Sequence, residues 1–195
     1  MRASAFILVL GIVWAGQAPA QTTWSVASGP SSVTFKVQHL LFSEVEGSFR
    51  TFGGSVVTPN ADFADAQIDA VIPVTSIYTG HQDRDVHLRG DEFFDAAHYP
   101  AIHFKSQSFE KTGEHTYKVI GELTIRGVTK TVELDARCTD PRIISRGRKR
   151  VDFTVNGAVD RYDYGLRWNE IVGADQLLVG KTVEITLNIA LIEEI

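Results

Sequence analysis

The C-terminal part of the chain carries a strict two-residue alternation, which restricts the possible folds more than any other feature. Every second residue of this segment is apolar: Val183, Ile185, Leu187, Ile189 and Leu191. The positions between 182 and 188 that separate them are polar. Because successive side chains of a β-strand point to opposite faces, the segment predicts a long strand with one buried and one wetted face.

The same alternation recurs in shorter segments that turn residues separate. The predicted strands lie at 32–37, 46–52, 66–74, 102–106, 117–125, 128–134, 152–161 and 182–191. Gly53 and Gly54 are predicted to end the second strand, and Arg126 and Gly127 to form the hairpin turn between the fifth and sixth. About eight such strands predict an all-β fold, either a closed barrel with room for one ligand or two packed sheets.

Residues 79–97 interrupt the strands with a helical pattern. Thr79 is predicted to N-cap the helix, and Gly90 to end it in the left-handed conformation. A second short turn carries Phe93 and Phe94. A helical segment in an otherwise all-strand chain is suited to close one end of a barrel or sandwich, and we refer to residues 79–97 as the helical plug.

The N-terminal residues 1–20 are predicted to be a secretory signal peptide. Arg2 precedes an apolar run, and Ala18-Pro19-Ala20 is a small-x-small cleavage signal. The run is too short to predict a transmembrane helix. Cleavage between Ala20 and Gln21 would leave a single domain at 21–195 in the periplasm or the secreted space.

The charge balance argues against nucleic acid and anionic membrane surfaces as partners. The full chain has a formal net charge of −5, and loss of the predicted signal peptide, in which Arg2 is the only charged residue, makes it −6. Cys138 is the only cysteine, so the chain has no internal disulfide. We expect an inert thiol there, and a solvated loop in the basic stretch 142–150.

Several short motifs occur in a specific order along the chain. They are Val37-x-His39, Gly47-x-Phe49-x-x-Phe52-x-Gly54, Arg84-Asp85-x-His87-Leu88, Phe93-Phe94-Asp95, Tyr99-Pro100-x-Ile102-x-Phe104-x-Ser106, the run Gly121 to Lys130, and Arg161-x-Asp163-Tyr164-Gly165. In this combination the chain resembles the YceI-like family of periplasmic, lipocalin-like polyisoprenoid-binding proteins. The resemblance covers essentially all of the chain after residue 20. It implies an eight-stranded antiparallel barrel whose lumen holds a long isoprenoid or a similar lipid.

The apolar strand faces would then form the wall of a lipid-binding lumen. The residues assigned to this inner wall are Phe35, Val37, Phe49, Ile68, Ile102, Phe104, Val119, Leu123, Ile125, Val132, Leu134, Phe153, Val155, Ile185 and Leu187. Alternation also places Arg161 and Lys130 on this face. A buried charge is costly unless it is paired. We therefore expect Arg161 to form an ion pair with Asp85 or Asp163, or to contact a polar lipid head group.

An enzyme is the first alternative, because histidine and aspartate residues cluster in one stretch. They are His81, Asp83, Asp85, His87, Asp91, Asp95, His98 and His103. Their spacing matches no HExxH-type ligand pattern, and the chain has neither a Gly-x-Ser-x-Gly elbow nor a Cys-x-x-Cys pair. A metal-dependent or hydrolytic enzyme on a β-barrel therefore stays the weaker hypothesis. The second alternative is an interaction domain built as a β-sandwich with a solid core.

The function that we predict is a non-enzymatic lipid-binding protein without a metal or a covalent cofactor. It would hold a polyisoprenoid, such as an isoprenoid quinone or a similar long-chain amphiphile, for transport, storage or scavenging. The lipid would exchange transiently with membranes, since a bilayer offers it a comparable environment. The sequence leaves the oligomeric state open, a homodimer included.

Cleavage of the signal peptide can be tested on secreted material. We expect N-terminal sequencing or intact-mass measurement to give Gln21 as the first residue, because signal peptidase cuts after the small-x-small motif. Membrane-bound protein that retains Met1 would contradict the prediction.

Overall fold

The computed structural model describes residues 21–39, 43–60, 62–169, 171–172, 176–177 and 179–194. The predicted signal peptide, with Ala20 at its end, lies outside these residues. Within the described ranges, no helix has the length and apolar character that crossing a membrane requires.

The chain is built mainly of strands. In chain order they are β1 Thr22–Val26, β2 Ser32–His39, β3 Ser43–Phe49, β4 Gly53–Thr58, β5 Gln67–Pro73, β6 Ile77–Tyr78, β7 Ala101–Lys111, β8 Thr116–Ile125, β9 Val128–Cys138, β10 Arg142–Ile143, β11 Lys149–Asp160, β12 Ile171–Val172, β13 Gln176–Leu177 and β14 Val179–Glu193. The α-helix α1 spans Gln82–Arg89, and 3₁₀ turns cover Val74–Ser76, Ser145–Gly147 and Arg161–Tyr164.

The strands form a closed eight-stranded antiparallel barrel, as predicted. Strands β1 and β2 both pair with β14, so they act as one interrupted strand. Strands β3 and β4 pair with β2 and β1, and β5 and β6 pair with β4 and β3, so each of these pairs also acts as one strand. The order continues through β7, β8, β9 and β11, and the β11–β14 ladder closes the ring. The closed barrel rules out the two-sheet sandwich.

The hairpin between β8 and β9 confirms the predicted turn. Arg126 and Gly127 have φ angles of 49° and 73°, the left-handed pair that a type I′ turn needs. The register sets Ile125 opposite Val128 and Val119 opposite Leu134. Both apolar faces of the hairpin therefore point to the barrel interior.

Several strand boundaries were predicted wrongly, and two of these errors concern the glycines of β4 and Arg161. Gly53 and Gly54 do not end a strand at 46–52; the chain turns after Phe49, and the two glycines begin β4. Gly54 is needed there because a Cβ on it would lie 2.6 Å from the backbone oxygen of Asp69 in β5. Strand β11 ends at Asp160, so Arg161 begins a 3₁₀ turn instead of ending a strand.

Both predicted helix caps were also wrong, although the helix and the second turn are present. Helix α1 begins after His81, and the Thr79 backbone N–H and hydroxyl instead donate to Oδ1 of Asp85, at 2.8 and 2.6 Å. Gly90 is extended, with φ −71°. Its carbonyl accepts from the N–H groups of Phe93 and Asp95, and this tight turn does not require a left-handed residue at 90.

The barrel interior contains two apolar clusters at opposite ends. Along β8, Tyr117 and Val119 belong to the first cluster, whereas Leu123 and Ile125 belong to the second. We call the first the Trp24 end, which also holds Phe63, Phe109, Val151 and Phe153. We call the second the plug end, which also holds Val33, Phe49, Ile102, Tyr164 and Leu166, with Leu88 and Phe94 of the helical plug packed against it.

The close approach of β4 to β5 gives a stability test. Gly54→Ala should lower the free energy of unfolding by about 1–3 kcal/mol, because its methyl group would push against the β5 backbone. The neighbouring Gly53→Ala is the control, since nothing lies within 4 Å of its added Cβ. Its stability should be unchanged or raised by up to about 1 kcal/mol. Urea unfolding measures both variants, and equal stabilities would contradict the prediction.

Candidate functional site

The barrel encloses an apolar cavity of about 290 Å³. All fifteen residues of the predicted inner wall line it, and so do Phe93 and Phe94 of the helical plug. The surface that the cavity presents is apolar throughout. Its volume lies at the lower end of the range of about 300–1,000 Å³ that is usual for sites of small organic ligands.

Further lining residues were missing from the prediction. Val33, Val159, Val183, Ile189 and Leu191 lie on the same alternating apolar faces, although they were not assigned to the inner wall. Others, such as Val56, Ile72 and Phe109, lie on strands as well, whereas Phe63, Tyr164 and Leu166 come from loops and a 3₁₀ turn, where no two-residue period exists.

Aromatic rings close the Trp24 end of the cavity. Phe63 lies in the loop before β5 with a φ angle of 63°, and its ring centroid is 5.0 Å from that of Trp24 and 5.0 Å from that of Phe153. The indole N–H of Trp24 donates to the hydroxyl of Thr58 at 3.2 Å. The hydroxyl of Tyr117 donates to the backbone oxygen of Asp62. This end is therefore a packed cluster whose polar tips are hydrogen-bonded.

The helical plug covers the opposite end, as predicted. Phe94 meets Phe49 of the barrel edge to face, with 6.2 Å between ring centroids. Phe93 lies 5.0 Å from His87 of α1 and 5.2 Å from Trp168, and the rings of His87 and Trp168 are 4.9 Å apart. The plug is thus joined through these rings to the loop that follows Arg161.

Arg161 is 4% exposed and lines the cavity at this end. Its Nε donates to the backbone oxygen of Gly180 at 2.8 Å, and one terminal nitrogen donates to that of Val179 at 3.0 Å. The other terminal nitrogen donates to the oxygens of Leu166 and Trp168, at 2.5 and 2.9 Å. Burial lowers the pKa of the guanidinium. Its charge is met by carbonyl dipoles, and these bonds link residues 166 and 168 to the start of β14.

The predicted ion pair of Arg161 with Asp85 or Asp163 was therefore wrong. Asp85 is 5% exposed and accepts two hydrogen bonds from Thr79, whose own oxygens accept from Arg84. The carboxylate is thus held within the helical plug. Sequence alternation could not show this, because the partners of Arg161 are backbone oxygens, two of them shortly after it in the chain and two at the start of β14.

Lys130 was also placed wrongly, since it is exposed and does not line the cavity. It lies opposite Leu123 in the β8–β9 register, on the face that alternation predicts. However, β9 pairs with β11 only from Asp135 to Cys138. On the β11 side, Lys130 lies beyond the paired part of β9, and its side chain reaches solvent.

Two histidines of the plug region pair with different carboxylates. Nε2 of His87 lies 2.7 Å from Glu92, and Nδ1 of His98 lies 2.8 Å from Asp95. Across the described residues, no group of three or more His, Cys, Asp or Glu is arranged to hold a metal ion. Burial raises the pKa of the half-buried Cys138 thiol, so a smaller fraction of it is in the reactive thiolate form at neutral pH.

The basic stretch 142–150 folds as a small hairpin of β10 and β11. Arg142 and Arg150 both contact the carboxylate of Asp152, at 2.8 and 2.6 Å. Lys149 lies 3.3 Å from Glu193. These two carboxylates offset two of the five positive charges of the stretch.

Comparisons with known proteins agree with this architecture. Residues 24–191 match the family model of the YceI-like domain. A UPF0312 protein of Yersinia pestis is 36% identical over 134 residues, which are 69% of each chain. The crystal structure of the Campylobacter jejuni YCEI protein has a TM-score of 0.65 and 29% identity, and covers 81% of this chain and 90% of that one. A polyisoprenoid-binding domain from Saccharophagus degradans has a TM-score of 0.62 at 17% identity, with coverages of 86% and 97%, which shows a common fold alone.

Replacement of Arg161 tests the carbonyl network. Arg161→Met should lower the free energy of unfolding by about 2–5 kcal/mol, because it removes the guanidinium donor from four carbonyls, of which that of Val179 keeps a second donor in Asn169. Arg161→Lys should lose less, since an ammonium keeps the charge but lacks the planar fork. Chemical unfolding measures both. Lys181→Met, at an exposed position of β14, should change stability by less than about 0.5 kcal/mol. An Arg161→Met variant as stable as the wild type would contradict the prediction.

Proposed function

The chain belongs to the YceI-like family, and on this premise we propose that it is a non-enzymatic carrier of one polyisoprenoid lipid, such as an isoprenoid quinone. The observation that supports the proposal is the apolar cavity that extends between the two ends of the barrel. A dry apolar cavity gains little from water and much from a hydrocarbon chain. The polyisoprenoid-binding domain of Saccharophagus degradans has the same fold.

The character of the wall favours binding over catalysis. Acid–base and nucleophilic catalysis need titratable or nucleophilic side chains within reach of the substrate. The cavity surface here is apolar, and four N–H groups of Arg161 are engaged by backbone oxygens. Such a wall holds a hydrocarbon and leaves it chemically unchanged.

The energetics of apolar burial suggest the kind of carrier. Burying one CH₂ group contributes about 0.8 kcal/mol, so a chain of about twenty carbons would approach the practical ceiling of affinity against water. The same chain gains a comparable amount in a bilayer. The lipid would therefore exchange with membranes, and the protein would act as a carrier, store or scavenger. A periplasmic or secreted location, as the signal peptide predicts, gives it access to membrane surfaces.

Lipid occupancy can be tested with a variant that fills the cavity. Leu123 is 9% exposed and lines the cavity near the middle of β8, so Leu123→Trp should remove space there. We expect mass spectrometry of organic extracts to show a lipid at a near one-to-one ratio in the wild type. The variant should contain shorter chains or none, and its stability should change by no more than about 1–3 kcal/mol.

The matched control is Glu122→Trp, one residue away on the exposed face of β8. It should leave the lipid content unchanged. If the wild type yields no lipid and Leu123→Trp is severely destabilised, the interior acts as a packed core and the proposed function is wrong.

A further inference from the structure

The hairpin of β10 and β11 projects from the Trp24 end of the barrel. At this end the β11–β14 ladder begins with the pair of Arg150 and Ile192, so β14 supplies no partner for residues 143–149. Within the hairpin, Ile143 lies opposite Lys149. The hairpin tip therefore extends beyond the last rung of the ring and presents its side chains to the surroundings.

Ile143 exposes an apolar side chain on this hairpin. It is 77% exposed, more than any other large apolar residue that the structure describes, and Val86 of α1 follows at 60%. A single exposed apolar residue is common at protein surfaces. The charges around Ile143 and Val86 therefore decide what each could contact.

The ion pairs of the hairpin leave positive charge beside Ile143. The stretch 142–150 has five basic residues and no acidic one. Asp152 and Glu193 offset two of these charges. Within the described part of the chain, the exposed Arg146 and the half-buried Arg148 form no ion pair. The tip thus keeps two unpaired cations.

The plug end has the opposite charge. The helical plug, which carries Val86, has five acidic and two basic residues. An anionic surface would therefore be repelled there and attracted at the hairpin. The negative net charge of the whole chain does not cancel this attraction, because exposed charges more than about 8 Å apart are largely screened at physiological ionic strength. Asp140, which precedes the hairpin, lies 3.7 Å from His115.

An exposed isoleucine between cations suits the surface of an anionic bilayer. There an apolar side chain enters the boundary between head groups and acyl chains, while arginine and lysine meet the phosphates. A folded protein partner is a poorer match. A stable protein interface buries about 800 Å² on each side, and a projecting tip of a few residues offers much less.

We propose that the β10–β11 hairpin docks the protein on the anionic head groups of a membrane. Ile143 enters the head-group region, and Arg146 and Arg148 lie against lipid phosphates. The barrel then meets the bilayer with its Trp24 end. This assignment rests on the proposed carrier function, which requires contact with membranes, and adds to it the face that makes the contact.

Co-flotation with vesicles tests the docking face. The purified secreted protein is mixed with vesicles of phosphatidylglycerol and phosphatidylcholine in equal parts, or of phosphatidylcholine alone. Wild type should bind the anionic vesicles at least about tenfold more tightly, and salt at about 0.5 M should remove most of this preference. Arg146→Gln combined with Arg148→Gln should weaken binding about 25-fold, because each cation near such a surface contributes about fivefold. Ile143→Ser should weaken it about tenfold.

The matched controls lie toward the plug end. Lys130→Gln combined with Lys181→Gln makes the same change of charge at two exposed positions, and Val86→Ser removes the other exposed apolar side chain. Each should change vesicle binding by less than about twofold. Melting temperatures identify any variant that fails to fold. If the double hairpin variant does, Arg146→Gln alone should still weaken binding about fivefold.

Three results would overturn the docking face: no binding of wild type to anionic vesicles, equal binding to both kinds of vesicle, or equal losses in hairpin and plug-end variants. A wild type that ignores vesicles but forms a dimer that the hairpin variants break would make the hairpin an interface between copies instead. Organic extracts of the same preparations separate docking from the carrier function. Lipid in the extract without vesicle binding overturns the docking face alone. Vesicle binding with a lipid-free extract keeps the docking face and overturns the carrier function.

Discussion

The β11–β14 ladder is the constraint on which the rest of the structure depends. It pairs residues 150–160 with residues 182–192 and turns an open sheet into a ring. Once the ring is closed, the apolar faces of the strands point to one shared interior. The two-residue alternation then separates the inside of the barrel from its outside on every strand. Eight strands leave an interior that their own side chains only partly fill. The cavity therefore follows from closure itself, together with the sizes of the inward residues.

A ring of strands has two open ends, and this chain closes them by different means. The Trp24 end is closed by packed rings and satisfied polar tips, with Phe63 held in a positive-φ conformation. The plug end is closed by the helical plug and by a loop that one buried arginine ties to the barrel. The charge of Arg161 is compensated by the backbone carbonyls of several residues. The apolar lumen is thereby kept free of an exposed cation, as suits a hydrocarbon guest.

The sequence predicted the barrel wall well and its ends poorly, for one physical reason. Within a ladder, the pleat fixes the direction of each side chain, so Leu123 and Ile185 could be assigned from alternation alone. Alternation also placed Arg161 inward correctly, although that residue begins a turn. It failed for Lys130, which lies where β9 has parted from β11. The partners that decide the ends, such as Thr79 with Asp85 or Arg161 with carbonyls of residues 166 to 168 and of β14, are set by contacts that a two-residue alternation does not contain.

Several glycines of the barrel lie directly beneath large side chains of a neighbouring strand. A Cβ on Gly121 would lie 2.5 Å from the ring of Phe104, and one on Gly47 would overlap the ring of Phe35. The neighbouring side chain therefore occupies the space that a side chain at the glycine position would need. A larger residue at one position can be accommodated only by a smaller one at the other, so such pairs would have to change together as the sequence diverges. Substitutions exchanged within a pair would reshape the lumen without altering the strand register, which gives the fold a route to new guests.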